Sequence, residues 1–420
     1  MSAPEEPNPL RYFAEVLKQV EEILVYVPGD ALKALRERLG SLRGLILEHR
    51  PPAVAVVGRR GAGKSSLLNA FFGAQVAQLG HVKARTGRGR WFDYEGARGT
   101  LQILDTRGFQ EGSAPDEPDV VDNAVPSVLV ELKRKAPDVI LFVVKASEVD
   151  AAQEGDLEGL ERIASEVERH HGSKPPILGV VTHCDLLEPK NVALHRAEGQ
   201  DPEELEEKLA HVAEAERLLL QRLQGRGAIR GQVKGVLGIS SYLSFRADGS
   251  VRSDERWRID DLCDRIFHLL PESGRGIFAR VARVQRLQEE LAQNLTRATA
   301  ALCAALAVLS IPVADVVTIT SLQVAMVIAI AWLAGRSLDT KAAAEFLGGL
   351  GVNVGAAFGL REVARALTKF VFPGAGAAVS GVVAFAGTMA IGAAARAYYL
   401  RGATLAEARE AYEGERKSGT

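Results

Sequence analysis

Residues 53–69 read AVAVVGRRGAGKSSLLN, a short β-branched apolar run that stops at Gly58 and is followed by a lysine at Lys64. The spacing is that of the phosphate-binding loop, G-x-x-x-x-G-K-[ST]. Gly58 and Gly63 let the backbone turn its N–H groups inward around phosphate oxygens, and the helix expected to follow adds its positive end. Arg60, Gly61 and Ala62 complete the loop, and Lys64 is placed to neutralise the β- and γ-phosphates. Ser65, with Ser66 beside it, carries a hydroxyl where such loops ligate Mg²⁺, an ion that needs few protein ligands when it bridges two phosphates. A strand before the loop and an apolar helix start at Leu67 and Leu68 supply the context this motif requires.

A chain of 420 residues with 47% hydrophobic and 25% charged residues has room for two or three folded domains. Its formal charge of −2 gives no reason to expect nucleic acid as a partner. Cys184, Cys263 and Cys303 are scattered without C-x-x-C spacing, which suggests neither a metal site nor a disulfide framework and fits a reducing cytosol. The first residues, MSAPEEPNPLRYF, lack the basic-then-apolar order of a secretory signal, so export is not expected.

Ahead of the loop, residues 11–27 and 30–49 place apolar side chains at helical spacing: Phe13, Val16, Leu17, Val20, Ile23 and Leu24, then Leu32, Leu35, Leu39 and Leu42. Two amphipathic helices over residues 1–50 are expected, packing against the nucleotide domain or offering a face for association. After the loop comes a Gly/Lys/Arg-rich stretch, 73–90, then two strand signals around Glu95-Gly96, the second ending at Asp105. Asp105 at a strand end can hold Mg²⁺ through its water shell, and the Gly108 N–H can bond a γ-phosphate, so this segment can sense that phosphate. Residues 138–144, 177–181 and 233–239 are apolar runs of the kind buried on both faces of a parallel sheet, with helical patterns among them. The second leads into Thr182-His183-Cys184-Asp185 and the third into Ser240-Ser241, at the carboxyl ends where open α/β sheets bind ligands. The charged stretch 191–225 is expected to be a solvated helix. His170-His171 lacks metal-ligand spacing and is expected at the surface.

Five pieces in order, GRRGAGKS, Thr86 in the basic loop, DTRG, THCD and ISS, together resemble the motif series of Era-like small GTPases over residues 51–271. The resemblance implies an α/β P-loop GTPase fold with a mainly parallel sheet, binding GTP or GDP with Mg²⁺. It implies that Thr86 closes on Mg²⁺ and γ-phosphate, that residues 105–108 begin the second switch, that Thr182 and Asp185 recognise guanine with His183 between them, and that Ser240 and Ser241 lie near O6. On this reading Lys64, Thr86 and Gly108 are the catalytic residues, and Ser65, Thr86 and Asp105 serve the metal. Independently, a carboxylate at Asp185 can accept from both N1–H and the exocyclic amine of guanine, and adenine offers no such pair.

Two departures stand out. His183 replaces the usual lysine, removing an aliphatic stem that covers the base and leaving guanine selection to Asp185. Phe109 follows Gly108 where Ras-like proteins have a water-positioning glutamine, so unassisted hydrolysis is expected to be slow. Arg60 and Arg107 are candidates for extra positive charge near phosphate.

Beyond residue 271 the composition changes. Residues 275–297 read as a basic amphipathic helix; 298–335 hold Asp315 as their one charge, and 346–360 and 370–395 hold none. This apolar third resembles the YcjF-type domain that follows Era-like domains in some bacterial proteins, giving an all-α domain over 272–420. Residues 313–335 and 370–395 reach spanning length, with Gly374, Gly381, Ala384 and Gly387 able to permit close packing. A soluble bundle with wholly apolar central helices gives the same pattern. The expectation is a cytoplasmic GTP-hydrolysing switch at the inner face of a membrane, with a homo-oligomer or a GTPase-activating partner as further associations. The rival expectation is a nucleotide-regulated assembly protein with negligible turnover and a soluble helical partner-binding domain.

Overall fold

The computed structural model of the chain describes residues 10–24, 29–59, 61–73, 90–96, 98–106, 124–150, 154–196, 198–308, 314–352 and 377–418. Contacts divide the chain into two units, residues 51–283 and residues 1–50 with 284–420.

The first unit is built on a six-stranded sheet: β1 (Ala53–Val57), β2 (Arg90–Gly96), β3 (Gly99–Thr106), β4 (Val139–Lys145), β5 (Ile177–Thr182) and β6 (Val233–Gly238). Their order is β2-β3-β1-β4-β5-β6; β2 and β3 form an antiparallel hairpin and every other pairing is parallel. The runs without polar alternation become the central strands: all of β1 and β5, and residues 139–144 of β4, are buried. Strands of that composition need helices on both faces. One face packs on α4 (Ala124–Arg134), α5 (Glu154–His171) and α6 (Pro202–Gln224), with Leu132, Leu160, Ile163, Val167, Leu219 and Leu223 in one core with Val57, Phe142 and Val181. The remaining helices α3 (Lys64–Phe72), α7 (Ile259–Leu269) and α8 (Glu272–Ala282) pack together, α8 lying against β3. A small hairpin, β7 (Leu243–Phe245) and β8 (Val251–Asp254), leads to Arg256, whose Nη1 donates to Ala70 O at 2.9 Å near the carboxyl end of α3.

Three expectations change here. The segment read as one basic helix over 275–297 is two, because Arg283 takes a left-handed φ of 57° and ends α8 before α9 (Gln285–Val308) begins. Residues 272–283 therefore belong to the sheet unit, moving its end beyond Pro271. The charged helix α6 starts as its sequence suggests, with Asp201 accepting from Glu203 N at 2.9 Å and Pro202 in the first turn. It is not solvated throughout, since Lys208 on its inner face is fully buried.

The second unit is helical in its described part: α1 (Leu10–Leu24), α2 (Gly29–Ile46), α9, α10 (Ala314–Leu333), α11 (Thr340–Gly349), α12 (Ala377–Ala395) and α13 (Leu405–Ser418). The amino-terminal helices belong to this unit, α1 packing on α10 and α2 on α9. Their apolar stripes are the faces buried: Phe13, Val16, Leu17, Val20 and Leu24 are all enclosed, as are Leu35, Leu39 and Leu42. Across the pair Arg43 meets Glu21 at 2.8 Å, and Arg38 donates to Ala301 O at 2.8 Å. The absence of a polar face on α10 is explained by its burial on all sides from Leu322 to Leu333. Small residues do bring helices together, at Gly381, where a Cβ would lie 2.9 Å from Val308, and at Gly392, which sits on Thr296. Gly387 instead faces open space, and Gly374 lies outside the described residues.

Leu17 is fully buried in the helical unit. Leu17→Ala is expected to destabilise that unit by about 2–5 kcal/mol, from lost transfer energy plus the cavity. Denaturant unfolding of the full chain measures it, and a loss below about 1 kcal/mol would contradict the packing of α1 described here.

Candidate functional site

The carboxyl edge of the sheet gathers the motif residues. At the end of β1 the chain must pass β4 so closely that a Cβ on Gly58 would lie 2.2 Å from Val143 O, so glycine alone fits. Gly63, with φ of 85°, turns the loop into α3, whose first backbone bond runs from Leu67 N to Gly63 O at 2.9 Å. A helix start of this kind directs its first N–H groups and its dipole at whatever precedes it, which makes an anion cradle. Lys64 opens the helix and its Nζ donates to Gly58 O at 2.6 Å and Arg59 O at 2.7 Å, bridging the mouth of the loop. Ser65 and Ser66 are exposed on the same turn, Gly61 at the loop tip is exposed, and Ala62 is buried beneath it.

The turn that follows β5 is fastened to this loop. Thr182, the last residue of β5, is fully buried; its hydroxyl donates to Ala62 O at 2.7 Å, with Val144 O a longer acceptor at 3.3 Å. With that proton engaged, its lone pair is left to accept from His183 Nδ1, 3.0 Å away, which assigns the neutral ring its proton on Nδ1. His183 has a left-handed φ of 57°, and its Cε1 would stand 3.0 Å from a Cβ on Gly63. The ring thus lies beside the phosphate loop. Burial pulls the His183 pKa below the ordinary imidazole value; Asp185 and Glu148 oppose that shift and Lys145 adds to it.

Asp185 is half-buried in a short 3-10 turn, Cys184–Leu186. Cys184 is packed inside with its thiol pushed up to about 12 by burial, so it serves as an apolar filler. Cys184 N donates to Ile239 O at 3.2 Å, and Ile239 N to Val181 O at 2.8 Å, which carries the β5–β6 pairing up to the two loops. Ser240 and Ser241 follow, both buried; Ser240 bridges Trp257 through backbone bonds, and its Oγ finds no partner among the described residues.

Asp105 stands at the end of β3, opposite Val56 on one side and Arg90 on the other, and its side chain lies outside the described residues. Thr86, Gly108, Arg60, Arg107 and Phe109 also lie outside them. The structure therefore brings together Gly58, Gly61, Ala62, Gly63, Lys64, Ser65, Thr182, His183 and Asp185, with the β3 terminus alongside. Among the described residues no cluster of three metal-ligating side chains exists. Mg²⁺ on a nucleotide needs none, because phosphates and water supply most ligands. A glycine-built cradle, a lysine at its mouth and an exposed serine hydroxyl fit a magnesium-bound nucleotide.

Sequence reasoning missed one part of the loop. Arg59 pairs through Nε with the buried Asp156 of α5, tying the phosphate loop to the helix layer below. Burial raises the Asp156 pKa, with Arg59 and then Lys64 pulling the other way. A pair formed across 97 residues leaves no local pattern.

The sheet and this edge have the P-loop GTPase fold. Residues 53–183 match the family described as 50S ribosome-binding GTPase. The uncharacterized protein YfjP of Escherichia coli is 26% identical over 175 residues, 42% of this chain and 54% of that protein. GTPase Der of Halalkalibacterium halodurans is 31% identical over 144 residues, 33% of this chain and 29% of Der. The solved structure of Toc33 from Arabidopsis thaliana aligns with a TM-score of 0.35 and 17% identity, over 61% of this chain and 94% of that one. The chain thus spans about half the length of YfjP and less of Der. Asp185, Ser240 and Ser241 lie beyond the family match.

A His183 pKa held below the unfolded value, about 6.5, makes the folded state poorer at binding a proton. Its contribution is fully present above pH about 6.5 and is lost as pH falls from there through the folded pKa. His183→Asn removes the titration while tolerating the left-handed backbone. Denaturant unfolding between pH 7.5 and about 5 is expected to show a shallower fall in stability for the variant, and equal slopes would contradict a buried neutral ring.

Proposed function

We propose that this protein is a guanine-nucleotide switch that binds GTP with Mg²⁺ and hydrolyses it to GDP and phosphate. The observation that carries the proposal is the Thr182 hydroxyl bonded to Ala62 O, which puts a phosphate cradle and a base-reading carboxylate on one rigid edge. Gly58, Gly61, Ala62, Gly63 and the first turn of α3, with Ser66, surround the phosphates, Arg60 flanking them. Lys64 leaves its loop carbonyls to neutralise the β- and γ-phosphates. Ser65, Thr86 and, through water, Asp105 would hold the magnesium, which when bound would supply charge neutralisation at the phosphates. Gly108 N–H bonds the γ-phosphate, so the segments bearing Thr86 and Gly108 respond to its loss. Asp185 accepts from guanine N1–H and N2, His183 lines the base edge of the cradle, and Ser240 and Ser241 lie towards O6. Phe109 has no group that orients water, so turnover is slow and open to acceleration by a partner or a second copy of the chain. The same residue favours the second reading, a nucleotide-regulated assembly protein with negligible turnover.

The finer assignment is an Era-like GTPase whose YcjF-type helical unit couples nucleotide state to the cytoplasmic face of a bacterial inner membrane. Helices over Gln285–Val308 and Gly381–Leu400 are long and apolar enough to cross a membrane by length and composition. The buried α10 speaks against the first span expected from sequence and for an interfacial contact. Val382, Val383 and Phe385 on α12 are 57%, 61% and 41% exposed, and Val308 at the end of α9 is 46% exposed. Exposed apolar side chains of that size are suited to the headgroup boundary.

Two experiments test these proposals. Asp185→Asn swaps an acceptor for a donor, so it is expected to lower GTP affinity at least about tenfold and to favour xanthosine triphosphate, whose carbonyl accepts. Nucleotide titration reads this, and unchanged GTP affinity would contradict the role of Asp185. In liposome flotation the full chain is expected to rise with the vesicles, and a V382S/V383S/F385S variant to lose at least about tenfold in partitioning. A wild-type chain that stays at the bottom of the gradient rejects the membrane contact.

A further inference from the structure

Lys208 is the one lysine among the described residues that is fully buried, and nothing in the motif series accounts for it. It projects from α6 beneath the loop that leaves β5. Its Nζ donates to Asp185 O at 2.7 Å, Val192 O at 2.7 Å and Pro189 O at 3.1 Å. An ammonium has three N–H donors and no acceptor, so this arrangement satisfies it completely. Removing such a charge from water is costly unless it is hydrogen-bonded throughout, and bonds from an ionised donor are stronger than neutral ones. Burial draws the Lys208 pKa down, while Asp185 and Glu188 hold it up.

The three acceptors lie along one irregular segment that belongs to no strand or long helix. The first is the carbonyl of the base-reading residue itself. On its other side the turn is closed by Leu186 N to His183 O at 3.1 Å and Leu187 N to Cys184 O at 3.3 Å. The peptide planes on both sides of the Asp185 Cα are therefore held, which fixes the Cα–Cβ direction along which its carboxylate reaches out. The same helix reinforces the loop at Glu188, whose carbonyl lies 2.8 Å from His211 Nδ1. One further turn along, Glu216 accepts from Gly238 N and from Arg258 Nη1, each at 2.7 Å, holding the end of β6 that leads to Ser240.

We infer that Lys208 is a positioning residue for base recognition: its three bonds to Asp185, Pro189 and Val192 hold the Asp185 carboxylate in register with the guanine edge. The inference rests on the guanine reading of Asp185 proposed above. Without the ammonium the three carbonyls turn towards water, the loop relaxes, and the carboxylate no longer meets N1–H and N2 together. Phosphate contacts, supplied by the other loop, are unaffected.

Lys208→Met keeps the aliphatic stem and removes the ammonium. Calorimetric titration of the full chain with GDP, IDP and ADP reads its effect, since IDP lacks the exocyclic amine. Wild type is expected to bind GDP at least about tenfold more tightly than IDP, the range of a hydrogen bond to a charged group. In the variant that ratio is expected to fall to about threefold or less while IDP affinity changes by less than about threefold, a coupling between side chain and base amine. A general structural role would lower GDP and IDP affinity by the same factor, and that result, or an unchanged ratio, overturns the inference. Should Lys208→Met fail to fold, Lys208→Gln, which keeps two N–H donors, carries the same test with an intermediate ratio expected and an unchanged ratio contradicting. A wild type that binds GDP, IDP and ADP alike rejects the guanine reading itself; a selective wild type with an equally selective variant rejects Lys208 alone.

Discussion

The Thr182 hydroxyl joins the two halves of the site. It belongs to the strand that leads into the turn Cys184–Leu186, and it donates 2.7 Å across to Ala62 O in the phosphate loop. Both groups are buried, so neither has water as an alternative partner, and an unmet carbonyl there would cost about 1–3 kcal/mol. One short bond therefore sets the distance between the cradle and the carboxylate. Gly58 and Gly63 depend on it in turn, because the loop can be drawn this close to β4 and His183 only where no Cβ intervenes.

Around that bond the sheet unit is braced from below. Arg59 reaches Asp156 on α5, Lys208 and Glu216 reach up from α6, and Arg256 bonds Ala70 O near the end of α3. Lys208, Glu216 and Arg256 are charged side chains satisfying backbone groups that regular secondary structure leaves unpaired, and Arg59 is an ion pair. The helical unit follows a different rule. Its interior is mainly aliphatic, with Gln288, Gln323 and several threonines buried among the apolar side chains, α10 enclosed and α12 set close to α9 at Gly381 and Gly392. Polar bonds inside it run from Gln323 to the Thr388 hydroxyl, from Thr388 to Ala384 O and from Thr296 to Ala292 O.

How much of this was legible in the sequence depends on whether the determinant is local. The phosphate loop and the turn after β5 are contiguous motifs, and all six strands of the main sheet announce themselves as apolar or alternating runs. The residues of that loop and of that turn could therefore be located one by one. The clamp at Lys208 could not, because a lysine among glutamates on a long helix looks solvated until the loop it supports is folded over it. Nor could the placement of α1 and α2, since an amphipathic stripe says that a face is buried and not against what. Composition misled at the second boundary as well: α8, with Arg275 and Arg280, reads as continuous with α9, yet it packs on β3, and the left-handed Arg283 marks the real break.

The central claim is that one edge of the sheet reads phosphate and guanine together. Hydrolysis of GTP and ATP by the full chain with Mg²⁺, compared as kcat/KM, tests it most directly. The predicted result is slow GTP turnover, on the order of 10⁻⁴ to 10⁻² s⁻¹ without a partner, and an efficiency for ATP lower by at least about a hundredfold. Equal efficiencies for the two nucleotides would contradict it.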